Sequence, residues 1–346
     1  MAVGFGLVGL GMIAEFHAKA IKAIAKAQLV ACCSRTQDKA DAFAARFGGR
    51  GFASLKDFLK QPGLDVVIIC TPSGAHMEPA LEAAEAGKHL IVEKPIDITL
   101  NRCDRLIEGC AKKGVTLAGI FPSRFLDVSP VLKKAIGESK FGKITMGSVY
   151  AKYYRSQEYY DSSDWKGTWK YDGGGALMNQ GIHAIDYLQW LMGPVEAITA
   201  ITGVTGHTGI EVEDTACATL RYKNGAFGII EGTTSAFPGF QQRIELCGTA
   251  GSAVIVHNTI EFWSFEKETP EDEDLRTRFS GDARSGGGAS DPAGINYLYH
   301  QRQIEDFIEA LESGGRPLVD GVEARKAVQI ILGIYESAKT GKEVRL

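Results

Sequence analysis

The hydrophobic and polar positions change rhythm once along the chain. From Ala2 to about Gly119, short apolar runs alternate with helical patterns. Ala2 to Val8, Leu29 to Cys33, Val66 to Cys70, His89 to Val92 and Val115 to Ala118 predict strands. Between them Met12 to Ala25, Asp38 to Phe47, Leu55 to Lys60, Pro79 to Ala86 and Arg102 to Lys112 predict helices. Strands too apolar to face water, alternating with helices, predict a doubly wound parallel sheet covered on both faces. Beyond Phe125 the texture differs. A helix is predicted over Val128 to Ile136, an extended run over Lys143 to Tyr154, and a second helix from about Gly175 to Met192. Extended segments follow at Val195 to Val204, Asp214 to Tyr222, Ala226 to Thr234, Gln241 to Cys247, Ser252 to Val256 and Ile260 to Phe265. Turn signals such as Lys223-Asn224-Gly225 separate them, so the sheet they form is expected to be large, open and mainly antiparallel. One helix layer on such a sheet leaves a face for a second subunit, giving a homodimer or homotetramer. The stretch Glu266 to Gly294 reads as a mobile excursion. Tyr297 to Ser313 and Val322 to Thr340 read as amphipathic structural helices.

The first strand-to-helix turn carries Gly9-Leu10-Gly11-Met12-Ile13-Ala14, a G-x-G-x-x-A pattern. Gly9 permits the tight turn, Gly11 puts no side chain in front of a pyrophosphate, and Ala14 lets the helix lie close to the strand. The helix start at Met12 and Ile13 presents free N–H groups to phosphates. This context makes residues 1–123 a Rossmann dinucleotide-binding domain. Residues 124–346 are then a C-terminal α+β domain for substrate binding and oligomerisation, and the whole is α/β. Ligands in such a sheet lie beyond the carboxyl ends of the strands. After the second strand stands Ser34-Arg35-Thr36, about 20 residues past the glycines, where an NAD site places an acid on the ribose. Arg35 and Ser34 suit a 2'-phosphate, which favours NADP. Arg35 as a solvated arginine stacked on adenine is equally compatible with NAD. Thr71-Pro72-Ser73-Gly74-Ala75-His76 places Thr71, Pro72 and His76 at the next strand end, with Ser73 in position to cap a helix. Glu93-Lys94-Pro95 follows the fourth apolar run. Either Lys94 holds its ammonium over the nicotinamide end of the cleft beside Glu93, or the two form a surface ion pair.

Composition narrows the classes. The 346 residues have room for two domains, and 45% apolar with 23% charged residues is ordinary for a globular chain. A formal net charge of −4 without a basic cluster argues against nucleic acid. Seven cysteines are scattered without a C-x-x-C pair, which fits a reducing compartment. No charged-then-apolar leader opens the chain and no apolar run approaches the ~20 residues of a spanning helix, so a cytoplasmic protein without membrane contact is expected. No zinc-ligand spacing occurs and no metal is expected; His17, His207, His257 and His300 default to packing or surface roles.

One stretch in the second half concentrates chemistry: Asp172-Gly173-Gly174-Gly175-Ala176-Leu177-Met178-Asn179-Gln180-Gly181-Ile182-His183. On a helix Asn179 and His183 share a face. A lone His183 is either a satisfied core histidine or an acid/base, and the glycines before it allow close approach of a backbone or ligand. Upstream lie Tyr153, Tyr154, Arg155, Tyr159, Tyr160, Trp165, Lys166 and Trp169, groups that stack on sugar faces or donate to hydroxyls, or that wall a cleft.

With these residues in order, the chain resembles the Gfo/Idh/MocA family of NAD(P)-dependent oxidoreductases. Carrying the resemblance are the fingerprint at Gly9 to Ala14, Thr71-Pro72, Glu93-Lys94-Pro95 and the glycine-rich helix with His183. Gly248 to Ser252 and Gln303 to Glu312 with Arg316-Pro317 extend it over nearly the whole length. The resemblance implies hydride transfer between a nicotinamide and a secondary alcohol of a sugar, sugar derivative or cyclitol. It implies Lys94 as the polarising cation and His183 as acid/base, with Arg155, Trp165, Lys166 and Asn179 toward substrate. Many family members have aspartate where this chain has Asn179. The asparagine matches a subset that includes nucleotide-sugar 3-dehydrogenases. A redox-neutral glycosidase or lyase and a non-catalytic dinucleotide sensor are the rival readings.

Overall fold

The computed structural model describes residues 2–281 and 296–346, and the chain divides into two compact units. The first comprises Met1–Pro122, Lys170–Gly173 and Asn296–Val328. Its sheet is built from β1 (Val3–Val8), β2 (Ala27–Cys33), β3 (Arg50–Phe52), β4 (Val66–Ile69), β5 (His89–Val92) and β6 (Leu117–Gly119), in the order β3-β2-β1-β4-β5-β6. All neighbours are parallel. The order reverses between β1 and β4, and the register aligns Val8 with Cys33 and Ile69, and Ile69 with Val92. The residues that follow those positions, Gly9, Ser34, Cys70 and Glu93, therefore emerge along one edge, at the switch point where doubly wound sheets bind ligands.

The strands are buried because almost every side chain on them is apolar: Phe5, Leu7, Val66, Ile68 and Ile91 join one core with Ala14, Ala18 and Ile21 of the first helix. A distant segment completes that core. The helix Leu298–Ser313 contributes Ile304, Phe307 and Ile308. Gln303 accepts the Phe121 N–H at 3.0 Å and donates to the Gly119 carbonyl at 2.6 Å, which ties this helix to the end of β6. The first unit is thus discontinuous, where the sequence pattern had suggested a simple cut after residue 123. β3 was not foreseen, because Arg-Gly-Phe offers no apolar run. Ser73 does not cap the following helix: Met77–Glu85 starts four residues later, and the Met77 N–H is met by Asp97 Oδ2 at 3.3 Å.

The second unit comprises Ser123–Trp169, Gly174–Ile295 and Gln329–Leu346. Its eight strands are β7 (Ile144–Lys152), β8 (Val195–Gly203), β9 (Thr215–Tyr222), β10 (Phe227–Thr233), β11 (Arg243–Gly248), β12 (Gly251–Val256), β13 (Thr259–Phe265) and β14 (Val344–Arg345). They run in the order β13-β12-β11-β7-β10-β9-β8-β14, antiparallel except for the parallel pair β7 and β10. Period-two alternation sets the faces. In β9, Ala216, Ala218, Leu220 and Tyr222 point inward while Cys217, Thr219 and Arg221 face out. The inner face carries the helix Ile182–Met192, and its Asp186 takes a buried bidentate bond from Arg124 at 2.7 and 2.9 Å.

The expected excursion over Glu266 to Gly294 is corrected in its first half. Pro270–Arg278 is a helix with a capping box between Thr269 and Asp272. Buried Asp272 also accepts from Trp263 Nε1 at 2.7 Å and pairs with Lys140, so low apolar content is offset by a satisfied polar anchor. Residues 282–294 lie outside the described residues. Among those described, no helix is long and apolar enough to cross a membrane.

Candidate active site

In the first unit the strand-to-helix turn at Gly9 to Ala14 has the shape a nucleotide cradle needs. Gly9 has φ +88°, and a Cβ there would sit 2.7 Å from the Cys70 carbonyl oxygen, so glycine is required. A Cβ on Gly11 would meet nothing within 4 Å. The open space lies in front of the first turn of the helix Met12–Ala23, whose N-terminus has no side-chain cap. Uncapped N–H groups, a missing side chain and a fully buried Ala14 under the turn fit a dinucleotide pyrophosphate. Ser34 is half-buried and Arg35 exposed at the end of β2. In the following turn Thr71 Oγ1 donates to the Ala75 carbonyl at 2.8 Å.

His76, expected beside the cofactor, is engaged within the fold. Its ring is buried, with Nδ1 2.8 Å from the Pro95 carbonyl oxygen and Nε2 2.8 Å from that of Thr71. Burial lowers its pKa, so a neutral ring braces the Thr71 turn against the Glu93-Lys94-Pro95 segment.

That segment is not a surface ion pair. Glu93 is 5% exposed; its Oε1 lies 2.7 Å from His17 Nε2, and its Oε2 accepts the backbone N–H of Lys94 at 3.1 Å. Burial pushes the Glu93 carboxyl up, but the hydrogen bond to His17 and the charges of His17, His300 and Lys94 outweigh it and hold it at about 2. His300 is pushed down to about 4, by burial first and by His17 second. His17, Glu93 and His300 place ligand-type atoms within 4.8 Å of one another. Both Glu93 oxygens are already engaged in hydrogen bonds, so the cluster serves here as a polar anchor under Lys94. Sequence reasoning missed it: His17 and His300 lie far apart in the chain, and only the packing of the helix Leu298–Ser313 brings them together.

In the second unit the glycine-rich stretch is not a simple helix. Ala176–Gly181 forms a π-helical turn that runs into the α-helix Ile182–Met192. Such turns recur at functional sites. Asn179 lies in the π turn and His183 in the first turn of the α-helix. They are the half-exposed positions in a run otherwise buried from Asp172 to Gln189. The His183 side chain is less buried than its neighbours, although its Nδ1 lies out of solvent.

Glu213 fixes the start of this turn. Its Oε2 accepts the Gly175 N–H at 2.9 Å, and its Oε1 accepts the Leu177 N–H at 2.9 Å and the Tyr335 hydroxyl at 2.8 Å. Burial pushes its carboxyl up to about 7 against those hydrogen bonds. Nearby, Asp214 bonds His207 Nδ1 at 3.0 Å, and His207 Nε2 lies 2.8 Å from the Arg155 carbonyl oxygen. Arg155 is buried and donates to the Tyr154 carbonyl at 2.7 Å. Lys166 is turned onto Tyr159, 3.9 Å above its ring, and donates to the Tyr159 carbonyl and Ser162 Oγ. Trp165 is half-buried beside it. The adjacent acids Glu213-Asp214 at the mouth of an apolar strand were the signal available in the sequence and not used.

A family model described as an oxidoreductase family NAD-binding Rossmann fold matches residues 3–121, and the GFO/IDH/MocA C-terminal domain matches residues 131–254. The WlbA dehydrogenase of Bordetella pertussis, solved in complex with NADH and UDP-GlcNAcA, superposes with a TM-score of 0.88 at 34% identity, covering 100% of this chain and 99% of its own. The myo-inositol 2-dehydrogenase of Thermotoga maritima is 26% identical over 355 residues, 99% of this chain and 98% of that protein. The levoglucosan dehydrogenase of Pseudarthrobacter phenanthrenivorans is 28% identical, over 85% of this chain and 83% of its own length. A nucleotide cradle on a doubly wound sheet, an open mixed sheet and these matches over the full length have one reading: the chain belongs to the Gfo/Idh/MocA family of nicotinamide-dependent oxidoreductases that act on CH–OH groups.

Proposed function

We propose that this enzyme interconverts a secondary hydroxyl and a ketone on the ring of a nucleotide-linked acidic sugar, with Lys94 as polarising cation and His183 as acid/base. The observation that carries the reading is the end-to-end likeness to a dehydrogenase that holds NADH and UDP-GlcNAcA. Asn179, in place of the family's more usual aspartate, agrees with it.

The nicotinamide supplies or accepts the hydride. The protein residues handle the proton and the charge. An imidazole titrates near neutrality, so His183 takes the hydroxyl proton as the alcohol is oxidised and returns it in reduction. A fixed ammonium on Lys94 stabilises the developing alkoxide. Asn179 carries no charge to tune the imidazole, but its amide can orient a neighbouring hydroxyl. Arg155 and the aromatic groups around Trp165 and Lys166 are the substrate-side candidates. For the cofactor, Ser34 and Arg35 support a 2'-phosphate and hence NADP, while the NADH of the Bordetella protein supports NAD. The ratio of the two dissociation constants decides it.

The test is a panel of UDP-hexuronates, inositols and anhydrosugars with NAD(H) and NADP(H), followed by nicotinamide absorbance and by product mass. Oxidation of a UDP-hexuronate supports the reading, and Lys94→Met and His183→Ala should each lower kcat about 1,000-fold or more. Glycosidic cleavage without net reduced nicotinamide overturns it in favour of the redox-neutral rival. Unchanged activity in Lys94→Met overturns the assignment of the cation.

We further propose that a second copy covers the outer face of the large sheet. Ile201, Phe227 and Phe262, 76%, 59% and 50% exposed, lie on that face with Met146. Light scattering that gives a monomer mass refutes this.

A further inference from the structure

Glu213 is not among the residues that carry the family resemblance, yet it holds the segment on which the proposed chemistry depends. The first N–H groups of any helical segment lack intrahelical partners. Here two of them, on Gly175 and Leu177, are buried and converge on one carboxylate, one on each oxygen, and the Tyr335 hydroxyl shares the second oxygen. Tyr335 comes from the helix Gly321–Thr340, so the turn is tied to an element far away in sequence. The backbone closes the same contact from the other side: Gly175 lies so near residue 213 that a Cβ would sit 1.7 Å from the Glu213 carbonyl oxygen, and the Ala176 N–H donates to that oxygen at 2.9 Å. Three consecutive positions of the turn are thus fixed by one residue. Asn179 follows two residues later and His183 one further turn on.

We infer that Glu213, held in place by Tyr335, is a positioning residue that sets the orientation of the turn carrying Asn179 and His183. Both carboxylate oxygens act as acceptors, so the ionised form fits the site. A glutamine cannot reproduce it, because its NH2 would face an N–H donor. Burial keeps that ionised form from being fully populated at neutral pH.

The kinetic arm rests on the proposed reaction; the spectroscopic arm does not. Glu213→Gln and Tyr335→Phe are made in the full chain. We measure nucleotide affinity by NADH fluorescence, kcat on whichever panel substrate turns over, and the Gly175 and Leu177 amide resonances against pH. The expected outcome is a kcat lowered about 100-fold in Glu213→Gln and less in Tyr335→Phe, as misplacement of reacting groups by about 1 Å produces. Nucleotide affinity stays within about twofold, because the cradle of the first unit is untouched. Both amides titrate near neutrality in the native protein and lose that step in Glu213→Gln. Unchanged kcat in folded Tyr335→Phe and Glu213→Gln overturns the inference, as does a loss of nucleotide affinity parallel to the loss of kcat. If the native enzyme turns over no sugar in the panel, the proposed function fails, and the amide titration still decides the clamp: flat Gly175 and Leu177 resonances refute it. Should Glu213→Gln not fold, Tyr335→Phe, which removes one hydroxyl, carries both arms.

Discussion

Two buried glutamates sit beside the two proposed reacting groups, and they behave in opposite ways. Glu93, next to Lys94, is held at about 2; Glu213, under the turn of His183, is pushed up to about 7. Burial acts on both in the same direction. The difference lies in what meets the carboxylate. Glu93 is hydrogen-bonded to His17 and lies beside the Lys94 ammonium, whereas Glu213 faces two peptide N–H groups and a phenol, which offer only dipoles. A side-chain hydrogen bond with a neighbouring cation overcomes desolvation at Glu93; dipoles alone do not at Glu213. The lysine end is therefore a permanent anion under a cation. The histidine end is held by an acceptor that itself titrates near working pH.

The strongest way to break this comparison is to disturb the close approach that aims the Glu213 end. In Gly175→Ala the new Cβ would fall 1.7 Å from a backbone oxygen, which side-chain rotation cannot relieve. The loss expected is about 3 kcal/mol or more of unfolding free energy, read by urea denaturation at neutral pH. Stability equal to the native chain would show that the turn can move, and the argument for a fixed clamp would fall with it.

The pH dependence of stability sharpens the contrast, because the two carboxylates contribute with opposite sign. Glu93 has a folded value below its usual 4.5, so the unfolded chain binds its proton first. Its stabilisation is complete above about 4.5 and is lost as pH falls toward about 2. Glu213 has a folded value above 4.5, so the folded chain keeps a proton that the unfolded chain has released. Its contribution becomes unfavourable as pH rises from about 4.5 to about 7. Each effect approaches about 3 kcal/mol in full. Unfolding free energies of the native chain, Glu93→Gln and Glu213→Gln, taken from about pH 3 to about pH 8, separate them. Glu93→Gln should flatten the acid slope and Glu213→Gln the slope below neutrality. Parallel curves for all three proteins would remove the contrast.

Much of the scaffold was legible in the pattern of apolar runs. β4 and β5 are almost wholly buried hydrophobes and read directly, as did the extended run of β9. What stayed hidden depends on contacts between distant positions. β3 is held by pairing with β2 rather than by its own three residues. Pro270–Arg278 is helical despite its acidity because Asp272 meets Thr269, Trp263 and Lys140. At the site, Gly9, Lys94, Asn179 and His183 stood out by motif. Their supports, His17, His300, Glu213 and Tyr335, are ordinary residues until the fold brings them alongside. Even the turn of Asn179 and His183 escaped local rules, since period alone does not separate a π turn from an α-helix.

The smallest expected effect tests the lysine end in the same terms as Gly175 tests the other. Gly11 has φ −88°, a conformation open to any residue, and a Cβ there meets nothing. Gly11→Ala should therefore leave stability within about 0.5 kcal/mol of the native chain. A bound pyrophosphate running past that position would still collide with the methyl group, and NADH affinity should fall about tenfold, or about 1.4 kcal/mol. Fluorescence titration measures it. The two glycines then differ in kind: one is required by the folded chain itself, the other only by what the chain binds. An unchanged dissociation constant in Gly11→Ala would mean that the phosphates do not pass this turn, and the first unit's cradle would have to be sought elsewhere along the same strand edge.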